Sequence, residues 1–269
     1  MLNKKIRGYS SLISAILINL LNGNLTTFPN LIPYYQSYLY YKHNNTEKIS
    51  EMQLYFVEPI GIVFQIFLPM FMNYIDKILT IKILTIFSAV LLFFSRVIIY
   101  FSTEYYLLLI SYAIYGVGIS CSYFPSTKNC WKFFPEKKDI MSGIIFSSFG
   151  LGSFVFTSIA DQIIDPDNEK KEGKYYSKEV AYNFLTFVKF EIFSIAILGI
   201  IASLLSFPYE DEKKEDENEN KNKNEEINKK GENIPLKKMI LSLEFVKCFA
   251  ITGCTQIFGY LLSNTYRNF

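Results

Sequence analysis

Glu58 and Arg96 stand inside apolar runs of a length that crosses a bilayer. Ionisable groups at membrane depth mark ion pairs, proton relays or solute sites. Glu58 falls about two turns, and Arg96 about one and a half turns, from the same end of their segments. Their matched depth predicts an intramembrane ion pair, with Glu58 as the group that would couple a proton. Asn19, Asn22 and Thr26 follow an i, i+3, i+7 spacing, which is one helix face. Such a face can hydrogen-bond a small polar solute or join helices. Tyr112, Tyr115 and Tyr123, with Ser122, form a comparable stripe interrupted by Ile119. Asn19, Asn22, Thr26, Tyr112, Tyr115 and Tyr123 are the candidate solute-binding set. Lys189 and Glu191 open a later apolar run and are expected to reach the outer interface.

Covalent chemistry finds little support. Cys121, Cys130, Cys248 and Cys254 lie in or beside apolar segments, and none makes a close pair of the kind a zinc site uses. The single histidine, His43, sits in a polar stretch. There is no strand–glycine-loop–helix phosphate signature and no nucleophile elbow. No metal, cofactor or catalytic residue is expected, and a membrane-embedded enzyme would need a midplane cluster of His, Asp or Glu that the sequence lacks.

The elements that would carry these residues follow from composition. Of 269 residues, 50% are hydrophobic and only 19% charged, against about 25% charged in an ordinary soluble domain. That excess excludes a soluble enzyme core and a disordered chain, and argues against a nucleic-acid partner. A bilayer core about 30 Å thick needs about twenty apolar residues in a helix. Seven segments approach that length: 10–35, 52–75, 81–101, 105–127, 140–163, 183–207 and 243–264. The first runs into Pro29 and Pro33 and lacks a small-residue cleavage site, so it does not read as a signal peptide. The expected fold class is an all-α integral membrane protein. Residues 1–207 form a six-helix bundle, 208–238 a charged linker, and 239–269 the first helix of a further, incomplete bundle.

The net charge of +2 conceals a split. Residues 210–233 hold ten acids and six bases, net −4, so the remainder is +6. The acidic run has no apolar period and reads as a solvated, flexible linker. Lysine and arginine in the short loops favour a cytoplasmic N-terminus, nine against six. Asn44-Asn45-Thr46 then lies outside as an N-x-T sequon.

Two stretches carry a family resemblance. Asn73-Tyr74-Ile75-Asp76-Lys77, between the second and third segments, is similar to the acidic-then-basic loop signature of the major facilitator superfamily. Met72 and Leu79 stand where that signature has glycine. By the resemblance, Asp76 and Lys77 act as a gating latch. From Tyr112 to Gly152 the chain reads YAIYGVGISCSYFPSTKNCWKFFPEKKDIMSGIIFSSFGLG. This resembles the oxalate–formate antiporter and monocarboxylate transporter branch of that superfamily. The matching positions include Gly116, Gly118, Pro125, Trp131, Phe134, Pro135, Lys137, Lys138, Gly143, Gly150 and Gly152. In lipid, small residues let helix backbones approach closely, so the glycines are expected to form tight, sliding seams.

The resemblance implies secondary active transport of a small organic anion such as a monocarboxylate, by alternating access, with a proton or counter-anion. Helices one and four would line the cavity. A second helical bundle, in the same or another polypeptide, and the lipid bilayer would be the partners. The acidic-glycine-aromatic pattern that monocarboxylate carriers favour in the first helix is not evident in NLLNGNLTTFPNLIPYY. A carrier of another solute, such as an amino acid, and a truncated membrane protein without transport activity are the alternatives.

Overall fold

The computed structural model describes residues 4–69, 71, 75, 78–171 and 173–209. They belong to one compact unit that ends at Glu210. The charged run from 210 onward, the expected seventh segment, Cys248, Cys254, and the Asp76–Lys77 latch lie outside the described residues.

Every regular element among the described residues is helical. The first segment is longer than its apolar run suggests. It comprises α1 (Lys4–Asn22), a 3₁₀ segment (Gly23–Thr27) and α2 (Phe28–Lys42). Pro29 falls in the first turn of α2, where its missing N–H costs nothing. The second segment opens with α3 (Glu51–Tyr55), fastened by a capping box between Ser50 and Gln53, and continues as α4 (Val57–Phe67). Then come α5 (Ile81–Phe101), α6 (Tyr105–Phe133), a 3₁₀ turn (Pro135–Lys137), α7 (Lys138–Ile164) and α8 (Lys178–Leu205).

Five helical spans among the described residues are long and apolar enough to cross a membrane: Lys4–Lys42, α5, α6, Pro135–Ile164 and α8. The first is the most enclosed, with 72% of its apolar window buried against 28% for Pro135–Ile164. It packs on α6, α7 and α8, while α6 also packs on α4 and α5, and α5 on α8. The outer faces carry large apolar side chains such as Phe94, Phe154, Phe193 and Ile200, all exposed.

Glycine sets two of the seams. A Cβ on Gly116 would run into the backbone of Gly61, and one on Gly152 into the backbone carbonyl of Leu20. These two contacts bring α4 onto α6 and α1 onto α7. Gly118 meets only the side chains of Leu91 and Leu92. Gly143 and Gly150 meet nothing within 4 Å, so the packing expected of them has no counterpart within this bundle. Pro125 is accommodated inside α6 without ending it. Trp131 lies in the last turn of α6, and its indole N–H donates to Ser142 Oγ at 2.7 Å, tying α6 to α7 across the Pro135 turn.

After α8 the chain doubles back on the bundle. Phe207 exchanges hydrogen bonds with Ser11 Oγ, and its carbonyl accepts from Asn129 Nδ2 at 3.0 Å. Arg7 donates to the Pro208 carbonyl at 2.8 Å. The starts of α1 and α7, the end of α6 and residues 206–209 therefore share one end. The opposite end holds residues 43–50, 102–104, 165–171 and 173–177, joined by contacts from His43 to Thr103 and from Glu47 to Lys174.

Candidate functional site

The first span changes its winding at its midpoint. Asn22 ends α1, and residues 23–27 turn as a 3₁₀ helix. A 3₁₀ helix advances about 120° per residue instead of about 100°. Four residues of it rotate the following side chain by about 80° relative to a continuous α-helix. That rotation splits the expected face. Asn19 and Asn22 are fully buried, whereas Thr26 turns to α7, where its hydroxyl donates to Ser153 Oγ at 2.8 Å and stays half-buried. Gly23 lets α7 approach the break closely, because a Cβ there would collide with the backbone of Phe149 and Ser153.

Around this break the backbone carbonyls become ligands for side chains. Tyr115 Oη donates to the Leu21 carbonyl at 2.8 Å. Arg96 Nη2 donates to the Asn24 carbonyl at 3.3 Å, and Arg96 Nη1 to Tyr112 Oη at 3.2 Å. The guanidinium lies over the Tyr115 ring, 4.5 Å from its centroid. Glu191 completes the junction. Its Oε1 accepts from Asn24 Nδ2 at 2.6 Å, and its Oε2 stands 3.6 Å from Arg96 Nε. Arg96 and Glu191 are 2% and 1% exposed, so this is a desolvated ion pair. Among the described residues, Arg96 Nε and Asn22 Oδ1 have no hydrogen-bond partner. A neighbouring cluster joins α1 to α6 through Asn22 Nδ2, which donates to Ser122 Oγ at 3.0 Å and to Asn19 Oδ1 at 3.3 Å.

This arrangement corrects two expectations. Arg96 pairs with Glu191, not with Glu58. Among the described residues, Glu58 has no ion-pair or hydrogen-bond partner. It sits in the first turn of α4, 8% exposed, at the positive end of the helix dipole. Glu191 does not reach an outer interface. Helix α8 begins at Lys178, five residues before the apolar run, so thirteen residues, or about 20 Å, separate Glu191 from that end. Lys189, two residues earlier, is exposed and lies over the Tyr100 ring at 5.6 Å.

Of the six candidate solute ligands, Asn19, Asn22, Tyr112 and Tyr115 are enclosed within the bundle. Thr26 and Tyr123 are half-buried on the side flanked by α7, where Tyr123 makes edge contacts with Phe146 and Phe149. Asn24 and Glu191 were not among the expected set. The signal for Asn24 was indirect, a Gly23–Thr27 stretch poor in strong helix formers ahead of two prolines, and that for Glu191 was its charge at the opening of an apolar run. The described residues contain no group of three His, Cys, Asp or Glu side chains arranged to hold a metal. Chemically, the junction can hold a fixed positive charge against a carboxylate at the centre of an apolar bundle, next to a span whose winding is already broken. No protein-family model matches the chain, and no curated protein matches it.

Proposed function

We propose that the chain is the N-terminal bundle of a major-facilitator-type carrier that moves a small organic anion, such as a monocarboxylate, by alternating access. A proton or counter-anion gradient drives it, and a second helical bundle faces the side carrying Thr26, Tyr123, Gly143 and Gly150. The observation that carries this reading is the charged junction at the broken midpoint of the first span. Broken helices at mid-depth are where secondary carriers build their sites, because unwound carbonyls are tolerated there only around protein or a cavity. The Arg96–Glu191 pair and the 3₁₀ segment form the hinge, and the open α7 face presents small residues to the solute path beside Tyr123 of α6. The resemblance of Tyr112–Gly152 to the oxalate–formate antiporter and monocarboxylate transporter branch supports the substrate class.

The test is uptake of labelled lactate, formate, oxalate and amino acids in cells expressing the full chain, at two external pH values. Saturable uptake of a monocarboxylate above the vector control, lost in Glu191→Gln, supports the proposal. Uptake confined to amino acids reassigns the solute. No uptake of any solute favours the second reading, a membrane protein without transport activity. That reading draws on the complete enclosure of Arg96 and Glu191, which also suits a purely structural lock.

A further inference from the structure

At the end of the bundle opposite the start of α1, two tyrosines from distant segments lie face to face. Tyr40, near the end of α2, stacks on Tyr175 of the 173–177 connection, with ring centroids 4.0 Å apart and planes inclined by 10°. Both are half-buried, so the stack is reachable from solvent. The neighbouring pair of Tyr34 and Tyr176 is looser, at 4.7 Å and 30°. The Tyr175 phenol also has a base in place: its Oη donates to Glu47 Oε2 at 3.0 Å. Lys174 Nζ and Gln36 Nε2 both donate to Oε1 of the same carboxylate, which leaves Oε2 for the phenol. A phenol that loses an electron becomes a strong acid, so a carboxylate at hydrogen-bond distance takes its proton and lowers the barrier to oxidation. The fold thus joins an oxidisable phenol, a fixed proton acceptor and a second phenol in ring contact.

We propose that Tyr40 and Tyr175 form an intramolecular dityrosine cross-link when the protein meets a one-electron oxidant generated from hydrogen peroxide. The oxidant removes an electron from Tyr175 while the phenol proton passes to Glu47 Oε2, which later releases it to water. A second oxidising equivalent removes an electron from Tyr40, whose phenol proton goes to solvent. The two phenoxyl radicals join through ring carbons ortho to the hydroxyls. The hydrogen on each of those carbons then moves to the phenol oxygen, which restores both hydroxyl groups. Two electrons and two protons leave in all, and they reduce one peroxide to two waters. The new bond ties α2 to the connection that leads into α8, fastening covalently what the Glu47 contacts hold non-covalently. The inference rests on this closure and not on solute transport.

Treatment of the full chain in detergent with a haem peroxidase and hydrogen peroxide tests it, read by dityrosine fluorescence, gel mobility and mass spectrometry of the digest. The expected product is a monomer whose Tyr40 and Tyr175 peptides are joined, lighter by two hydrogens than their sum. Tyr40→Phe and Tyr175→Phe, which keep the stacked rings, should each abolish it, and Tyr34→Phe should leave it unchanged. Glu47→Gln can still accept the phenol hydrogen bond but is a far weaker base, so its cross-linking at neutral pH should slow at least about tenfold. Raising the pH to about 10, where a phenol ionises by itself, should restore the rate in that variant. A purely structural role for Glu47 would not respond to pH in this way. Absence of the Tyr40–Tyr175 link, dityrosine fluorescence undiminished in either of those Phe variants, an unslowed Glu47→Gln, or failure of high pH to rescue it would each overturn the proposal.

Discussion

Arg96 carries a permanent charge into a setting that water does not reach. What makes it tolerable is the number of its partners: a carboxylate, an asparagine carbonyl, a tyrosine hydroxyl and a ring face. Removing one member of a buried pair leaves the other uncompensated, typically at about 3–5 kcal/mol. Arg96→Leu and Glu191→Leu should therefore each lower the unfolding midpoint of the detergent-solubilised chain sharply. The single tryptophan, Trp131, serves as the fluorescent reporter. The double variant R96L/E191L should recover a large part of the loss, because two apolar side chains of moderate size replace a pair whose desolvation offsets most of its attraction. Full additivity of the two losses would show that the pair does not act as a unit. Asn24 also loses its acceptor when Glu191 goes, so recovery is expected to be incomplete.

Elements meet here through backbone, and glycine decides where. Ser120 illustrates the accompanying repair. Pro69 has no N–H to offer the carbonyl four residues back, and Ser120 Oγ donates to that Gln65 carbonyl at 2.9 Å from the neighbouring α6. The glycine positions give a clean contrast. Gly116→Ala and Gly152→Ala place a methyl group against the backbone of Gly61 and Leu20 and should each destabilise by about 1–3 kcal/mol. Gly143→Ala and Gly150→Ala enter open space within the described bundle and should be neutral or stabilising by up to about 1 kcal/mol, since alanine is the better helix former. Thermal unfolding of the four single variants reads this out, and equal losses at all four positions would contradict the seams described above.

At the scale of the whole molecule, segments distant in sequence close the end opposite the N-terminus. Glu47 accepts from Lys174 Nζ at 2.6 Å, from Gln36 Nε2 at 3.2 Å and from Tyr175 Oη at 3.0 Å. Tyr40 stacks on Tyr175 with centroids 4.0 Å apart, and Tyr41 Oη donates to the Tyr176 carbonyl. Hydrogen bonds, first of all from Lys174, hold the Glu47 carboxyl below its ordinary 4.5. Burial, with the Glu47 carboxylate beside it, pushes the Tyr175 phenol up to about 12. A carboxyl lowered on folding stabilises fully above its unfolded value, and that contribution fades as pH falls through the lowered folded value. The closure should thus hold at neutral pH and loosen only on acidification below 4.5. Hydrogen exchange of residues 173–177 measured from about pH 6 to about pH 3 should show protection falling only at the acid end. Lys174→Gln should shift that loss to higher pH. Protection independent of pH in both proteins would count against the latch.

Period, length and apolarity are local properties, and the long helices were legible in them. The 81–101 segment agrees with α5 residue for residue, because a bilayer-length apolar run bounded by Thr80 and Ser102 admits little else. Ends set by polar residues were less legible. Helix α6 continues through Lys128 and Lys132 to Phe133, and α8 starts at Lys178, since charged side chains sit comfortably in exposed helical turns. Helix spacing alone put Asn19, Asn22 and Thr26 on one face, yet the chain leaves α-helical winding after Asn22, where Gly23 packs directly on the backbone of Phe149 and Ser153 of another helix. The partner of Arg96 depended likewise on which faces α5 and α8 turn to the first span. Depth along a helix can be counted from sequence, but rotation about its axis and the identity of the facing neighbour arise only when the helices pack.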